Sequence, residues 1–521
     1  MSGRGRSGCV GRGQVDNIQE RIYETIGSEG DIGLEVPWAR LVEASTKEDC
    51  VVDEERFRVD FLSGRVGRFI RGARWFPVLF QVVILGVVLL LLWNGLGRGL
   101  DLEGAELETF RKTNLTTLLV WGIWWPSMIV VVVSFGRVWC TVCPLELVNR
   151  VADALARRVG WPRARLGKVV EAGWMVLAAY LLLQLLVAGA SLHHVPHYTS
   201  LLLVGLLSVA FVTGLVFRHP RSFCRGFCPA GALLSVYGRH TGVQLEVRDP
   251  AVCAACEGRD CTKEANRYRF DGRSCPSLLR PYHRDPSDGC VLCFQCAKVC
   301  PHDNIGWGVV DAEAPIRRKV LLRPFEAGFV MVALGFVSHE VLEEVPWLDA
   351  LFHRVPTAMA SVLPGVDFAW LEAFWYLVLF PVAAWTVVSG LAYLLGYRGR
   401  PGSLILAAAT GAAPVVAMAH LAKATAKIAS WGTYLPLAFR DPGGEETFQR
   451  LWTHAVAEPS SLVSLQVVGW VMGIAALWMA WRAARWARRI PAEVLPAVRA
   501  GILGAALVVG VLMGVWAWPT A

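Results

Sequence analysis

The chain has 521 residues, 54% of them hydrophobic and 18% charged, with a formal net charge of +8 and a mean hydropathy of +0.43. Soluble domains carry about a quarter charged residues, so this composition argues against an ordinary soluble fold and for lipid exposure. The basic residues flank apolar runs, where they anchor helix ends, so the excess positive charge does not point to nucleic acid.

The opening MSGRGRSGCVGRG is basic but is followed by no apolar stretch, so neither a cleaved signal peptide nor a lipoprotein signal at Cys9 is expected. A mixed polar region, 1–74, precedes the first apolar run and reads as a cytoplasmic N-terminal region. Apolar runs follow at Phe76–Trp93, Leu115–Ser134, Val169–Ala190 and Leu201–Phe217. After a gap they resume at Leu321–Val337, Trp370–Leu395, Ser403–Ala419, Leu462–Trp481 and Ile502–Trp518. Runs of about twenty residues cross a hydrocarbon core about 30 Å thick, so about nine transmembrane helices are predicted. The seventh run is short and Gly/Ala-rich and holds Pro414.

Charge sets the expected orientation. Arg65, Arg68, Arg71 and Arg74 precede the first run, whereas Asp101, Glu103, Glu106 and Glu108 follow it. Arg137 to Lys168, Arg218 to Arg225, Arg317 to Lys319, Arg398, Arg400 and Arg482 to Arg489 continue the alternation. By the positive-inside rule the N-terminus and the gap lie in the cytoplasm and the C-terminus outside, in a bacterial inner membrane. Four regions are expected: 1–74, a four-helix membrane domain at 75–240, a cysteine-rich insertion at 241–316, and a membrane domain of about five helices at 317–521. The last has a long polar outer loop near 430–460.

Eight of the fourteen cysteines fall within the gap. Cys290, Cys293, Cys296 and Cys300, followed by Pro301, form the C-x2-C-x2-C-x3-C-P run of a [4Fe–4S] loop. Cys253, Cys256 and Cys261 form a looser run that ends at Cys275-Pro276. In two-cluster ferredoxins the fourth cysteine of each run serves the other cluster. That rule gives one cluster to Cys253, Cys256, Cys261 and Cys300, and a second to Cys275, Cys290, Cys293 and Cys296. The alternative is one cluster plus a zinc or structural group in the irregular half. Val291, Leu292, Phe294 and Ile305 are expected to shield the clusters from water, and Lys298 and His302 to be surface charge.

Two further pairs, Cys140/Cys143 before Pro144 and Cys224/Cys228 before Pro229, close the second and fourth runs on the same side. Four thiolates there can share a metal centre or cluster, with Arg137 and Arg225 expected to lower the thiol pKa. A redox-active dithiol and inert structural cysteines remain open. On the opposite side His193, His194, His197, His339 and His420, the last with Lys423 and Lys427 beyond it, are candidates for a quinone, haem or other metal site. The alternative is interfacial capping. No c-type haem, Walker or dinucleotide motif occurs.

The fragments GRVWCTVCPLELV, SFCRGFCPAGALLSVYG and CVLCFQCAKVCPHDNI resemble the membrane polyferredoxin family of NosR, NapH and CcoG across residues 76 to 320. The resemblance implies a helical polytopic membrane protein with an inserted bacterial-ferredoxin-like 2[4Fe–4S] domain. It also implies electron transfer toward respiratory metalloenzymes, or help in maturing them. Two departures mark a divergent member: the first pair has x2 spacing, and Cys275 is displaced. The expected role is an electron-transfer subunit of an oxidoreductase system, acting between a cytoplasmic or quinone donor and a respiratory or extracytoplasmic partner. Its expected partners are membrane lipid and one redox protein on each side. A thiol-redox maturation factor and a redox-coupled transporter are the alternatives.

Overall fold

The computed structural model describes residues 57–239, 241–281, 290–310, 321–343, 345–488 and 490–517. These belong to one unit, Arg56–Ala521, so the expected N-terminal region falls outside the described residues up to residue 56.

Strand β1 (Phe57–Asp60) leads to helix α1 (Arg65–Gly72). Helix α2 (Val78–Gly95) carries no charge and is exposed along most of its length, as a lipid-facing helix must be. A short helix α3 (Gly104–Thr113) lies at the far end. It leads into α4 (Leu115–Phe135), capped by the Asn114 side chain, with a π-helical turn at Leu118–Trp124. Amphipathic α5 (Pro144–Arg158) begins at the first Cys-Pro pair. Helices α6 (Trp174–Gly189) and α7 (Pro196–Val216) follow. The short α8 (Ser222–Gly226) and α9 (Gly231–Gly238) flank the second pair.

The cysteine-rich stretch lies between strands β2 (Val243–Val247) and β3 (Ile305–Val310), with helix α10 (Gln295–Val299) inside it. Among the described residues the strands form one antiparallel sheet in the order β1-β3-β2. Residues 57–60 thus join the cysteine-rich segment rather than standing apart with the N-terminal region. The remaining helices are α11 (Pro324–Leu342), α12 (Phe368–Leu394), α13 (Pro401–Trp431), α14 (Leu465–Ala487) and α15 (Leu495–Ala517).

Among the described residues eight helices are long and apolar enough to cross a membrane, not nine. The third expected span fails at Gly173, which has φ +87° and lies under the Phe325 ring, where an added Cβ would come within 2.5 Å. Only glycine suits both constraints. The chain turns there, leaving α6 with 16 residues, or about 24 Å.

The seventh run, short in the sequence reading, is instead the 31-residue axis of the bundle. Its Ala/Gly composition permits close packing rather than marking weakness. A Cβ on Gly411 would lie 2.3 Å from the Val498 carbonyl oxygen, and one on Gly501 would lie 1.9 Å from that of Ala408. Pro414 sits within the helix without ending it, as buried membrane helices tolerate.

The polar 430–460 segment is largely helical, at Leu435–Arg440 and Glu445–Trp452. Its turn is tied to the bundle: Asn114 Nδ2 donates to the Gly443 oxygen at 2.8 Å and Asn94 Nδ2 to the Pro442 oxygen at 2.9 Å.

Candidate functional site

Both Cys-Pro pairs lie at the same end of the bundle because each terminates a helix in the same way. Gly136, at φ +73°, ends α4, a helical turn carries Cys140, and Cys143 stands at the start of α5 with Pro144 in its first turn. Arg221, in the left-handed region at φ +59°, starts α8, which holds Cys224 and delivers Cys228.

The four thiols lie near enough to act on one another's charge. Burial pushes the Cys143 thiol well up, and charges on Cys224, Cys140 and Cys228 push it further. Burial, with Cys224 and Cys140, pushes Cys228 up to about 12. Burial also raises Cys224, although Arg221 opposes it with Nη2 3.8 Å from the sulfur. Arg137 lowers Cys228 as expected, but desolvation outweighs it, and the guanidinium lowering Cys224 belongs to Arg221 rather than Arg225. Thiols held this way are poor nucleophiles, which weighs against an exposed dithiol.

A buried polar network supports this group. Glu146 is 2% exposed and pairs with Arg273, itself 7% exposed, at 2.8 Å. Gln81 Nε2 donates to Glu146 at 2.7 Å and to the Thr141 oxygen at 3.0 Å, while Arg150 donates to Gln81 Oε1 at 2.8 Å. Burial alone would raise the Glu146 carboxyl, but Arg273, Arg150 and Arg221 hold it far below the usual carboxylate range. Burial would lower Arg221, but the charges of Cys224, Glu146, Cys140 and Cys293 hold it above its ordinary value. Arg221 therefore stands between the membrane-end thiols and the cysteine-rich segment. Contact between the two is direct: Thr141 Oγ1 lies 2.8 Å from the Leu292 oxygen and 3.1 Å from the Val291 oxygen.

Within the segment the cysteines occupy two adjoining neighbourhoods. Cys253, Cys256, Cys261 and Cys300 line one recess, together with Asn304 and His302. Burial pushes Cys261 up to about 11, helped by Cys300, Cys253 and Cys256. Asn304 donates from Nδ2 to Cys253 at 3.2 Å and from its main chain to Cys300 at 3.4 Å. The other set forms around Cys296, which burial raises together with Cys293, Cys275 and Cys290. Cys275 is pushed up to about 12 by burial, then by Cys293 and Cys290. Cys261 also acts on Cys296, so the sets adjoin. Leu292 and Phe294 take φ of +50° and +57°, local backbone strain in the loop that carries Cys290, Cys293 and Cys296.

Val291, Leu292, Phe294 and Ile305 are buried. Lys298 is not plain surface charge. Its ammonium donates to the Ala73 and Phe76 oxygens, both at 2.7 Å, and ties α10 to the chain entering α2.

Among the described residues no three His, Cys, Asp or Glu side chains stand close enough to hold a single metal ion.

A cavity of about 420 Å³ opens beside Cys224, lined also by Arg137, Arg221, Arg225, Arg323 and Ser235.

Each far-side histidine has its own hydrogen-bond or ion-pair partner. His197 Nδ1 accepts from the Gly97 amide at 3.0 Å and acts as a loop cap. His193 and His194 rings lie 3.8 Å apart, with His193 hydrogen-bonded to the Val187 oxygen at 3.0 Å and His194 3.1 Å from Glu108. His339 stacks on Tyr376 and faces Glu343 at 3.3 Å. His420 is bonded to Tyr237 at 3.1 Å. It lies within α13 rather than near the end of a short span. Sequence reasoning missed Glu146, Thr141, Arg221 and Arg273, although a glutamate three residues after a membrane-end cysteine was a signal within the motif itself.

No family model matches the sequence, and no solved structure matches it. Two uncharacterized proteins of Methanocaldococcus jannaschii do. MJ0750 is 25% identical over 194 residues, covering 34% of this chain and 75% of that protein. MJ0749 is 28% identical over 180 residues, covering 33% and 66%.

Proposed function

We propose that this chain is a membrane electron-transfer protein that carries two [4Fe–4S] clusters and a third iron–sulfur centre at the membrane end. In this reading Cys253, Cys256, Cys261 and Cys300 hold one cubane, and Cys275, Cys290, Cys293 and Cys296 hold the other. Cys140, Cys143, Cys224 and Cys228 hold the third centre. Such clusters, when bound, each take up or release one electron at a potential set by burial, charge and hydrogen bonds to sulfur. The resemblance to the NosR, NapH and CcoG family points the same way, toward a subunit passing electrons between a cytoplasmic or quinone donor and a respiratory partner.

The observation that carries the proposal is the direct seat of the Cys140–Cys143 turn on the Cys290–Cys296 loop, through Thr141 Oγ1 on the Leu292 oxygen. The chain's own residues do three things. The raised, buried thiols accept cationic iron. Arg221 offsets negative charge between the two thiol regions. Asn304 donates hydrogen bonds to Cys253 and Cys300, which favours the reduced state of the first cubane.

The test is anaerobic purification with iron and sulfide quantification. About twelve iron atoms per chain are expected, since each cubane holds four, and Cys224→Ser is expected to leave about eight. If Cys224→Ser retains the full wild-type iron, the membrane-end pairs are not ligands and the third centre is refuted.

A further inference from the structure

Ionisable side chains buried in a membrane bundle are costly and mark function by default. Here they form a column along α11, α13 and α9. At the cysteine end, Glu326 is fully buried in the first turn of α11. It accepts from Ser235 Oγ at 2.6 Å, from Arg323 at 3.0 Å and from Arg239 at 2.5 Å. Ser235 and Arg323 also line the cavity beside Cys224, which gives this end of the column access to water.

Deeper in the bundle, Tyr237 Oη meets His420 Nδ1 at 3.1 Å, both buried. The charges of Glu340 and Lys427 act on His420. One turn beyond His420, Lys423 Nζ donates to the Glu340 main-chain oxygen at 2.5 Å. At the far end His339 lies 3.3 Å from Glu343 and 3.8 Å from Glu372, and Glu372 meets His353 at 2.5 Å. Arg111, paired with Glu108, joins the same field through Glu343. From Glu326 to Glu343 the helix rises about 25 Å, most of the thickness of a hydrocarbon core.

We propose that this column conducts protons between the two faces of the membrane, a function beyond electron relay. Its stations are groups that exchange protons, carboxylates, imidazoles and a phenol, in turn along one axis. An alkali or alkaline-earth ion would instead need several oxygens around one point. A carboxylate takes a proton from water at one face. In the tautomer that leaves His420 Nδ1 unprotonated, the Tyr237 O–H bond breaks as an N–H bond forms on that nitrogen, and water entering through the cavity at Ser235 returns a proton to Tyr237. His420 releases its other proton toward Glu340, and the far-end carboxylates pass it to water. Nothing is oxidised or reduced, and a compensating ion carries the charge.

The full-length protein, reconstituted into vesicles with a trapped pH dye and a potassium diffusion potential set by valinomycin, tests this. Proton flux is expected to exceed that of protein-free vesicles at least tenfold, either as isolated or after reduction with dithionite. His420→Phe is expected to lower it at least tenfold without changing iron content. If His420→Phe is recovered aggregated, Glu340→Gln decides by the same criterion. Wild-type flux no greater than that of empty vesicles in both redox states, or a folded variant as fast as wild type, overturns the proposal. Iron content is read separately, so loss of the cluster reading and loss of the proton reading are distinguishable.

Discussion

Replacing Glu146 with glutamine tests the internal support of the site most sharply. The carboxylate is 2% exposed and balances Arg273 directly, with Arg150 and Arg221 acting on it at longer range. Glutamine keeps the shape but removes the charge, leaving the Arg273 guanidinium buried without its counter-ion. Removing one partner of a buried pair costs about 3–5 kcal/mol, so Glu146→Gln is expected to lower the unfolding free energy by about that amount. Replacing both partners by apolar residues, Glu146→Leu with Arg273→Met, takes both charges away and is expected to recover most of the loss. Denaturant unfolding of the detergent-solubilised protein, followed by tryptophan fluorescence, measures all three. A loss below about 1 kcal/mol for the single variant, or a double variant worse than the single, would refute the idea that the two charges are held as a desolvated pair.

Three further outcomes follow. Thr141→Val removes the hydroxyl that seats the first Cys-Pro turn on the Leu292 and Val291 carbonyls, and should cost about 1 kcal/mol in the same unfolding assay. Gly501→Val drives a side chain into the Ala408 backbone, where even a Cβ would lie 1.9 Å from the carbonyl oxygen, so size-exclusion chromatography should show loss of the monodisperse species. Burial, then His194, Arg111 and Lys427, hold the His193 imidazole well below its ordinary value. The unfolded chain then binds the extra proton as pH falls below about 6.5, so stability present at neutral pH is lost on acidification. Between pH 7.5 and 5.5 this group contributes about 1.4 kcal/mol of loss, and His193→Gln should flatten the slope by that amount.

The parts of the fold set by local chemistry were legible in the sequence. Apolar runs the length of a bilayer gave α2, α4 and α12 nearly end to end, and α7, α11, α14 and α15 with one end displaced by a turn or two. Cysteine spacing picked out the residues themselves, and Cys253, Cys256, Cys261 and Cys300 line one recess. What failed depended on neighbours distant in sequence. The break at Gly173 is imposed by the Phe325 ring, which no window around residue 173 contains. The length of α13 comes from Gly411 and Gly501 meeting the backbones of Val498 and Ala408, so small residues that read as weak propensity became the closest packing in the bundle. The thiols are raised on balance because the lowering by Arg137 at Cys228 is smaller than the desolvation that accompanies it.

Electron paramagnetic resonance of the anaerobically purified protein, reduced stepwise, addresses the central claim most directly. Adjoining cubanes on Cys253–Cys300 should give two low-potential signals that broaden and split as both become reduced, because their spins interact. A sample free of iron, or one sharp non-interacting cluster with zinc in the other cysteine set, would contradict the account.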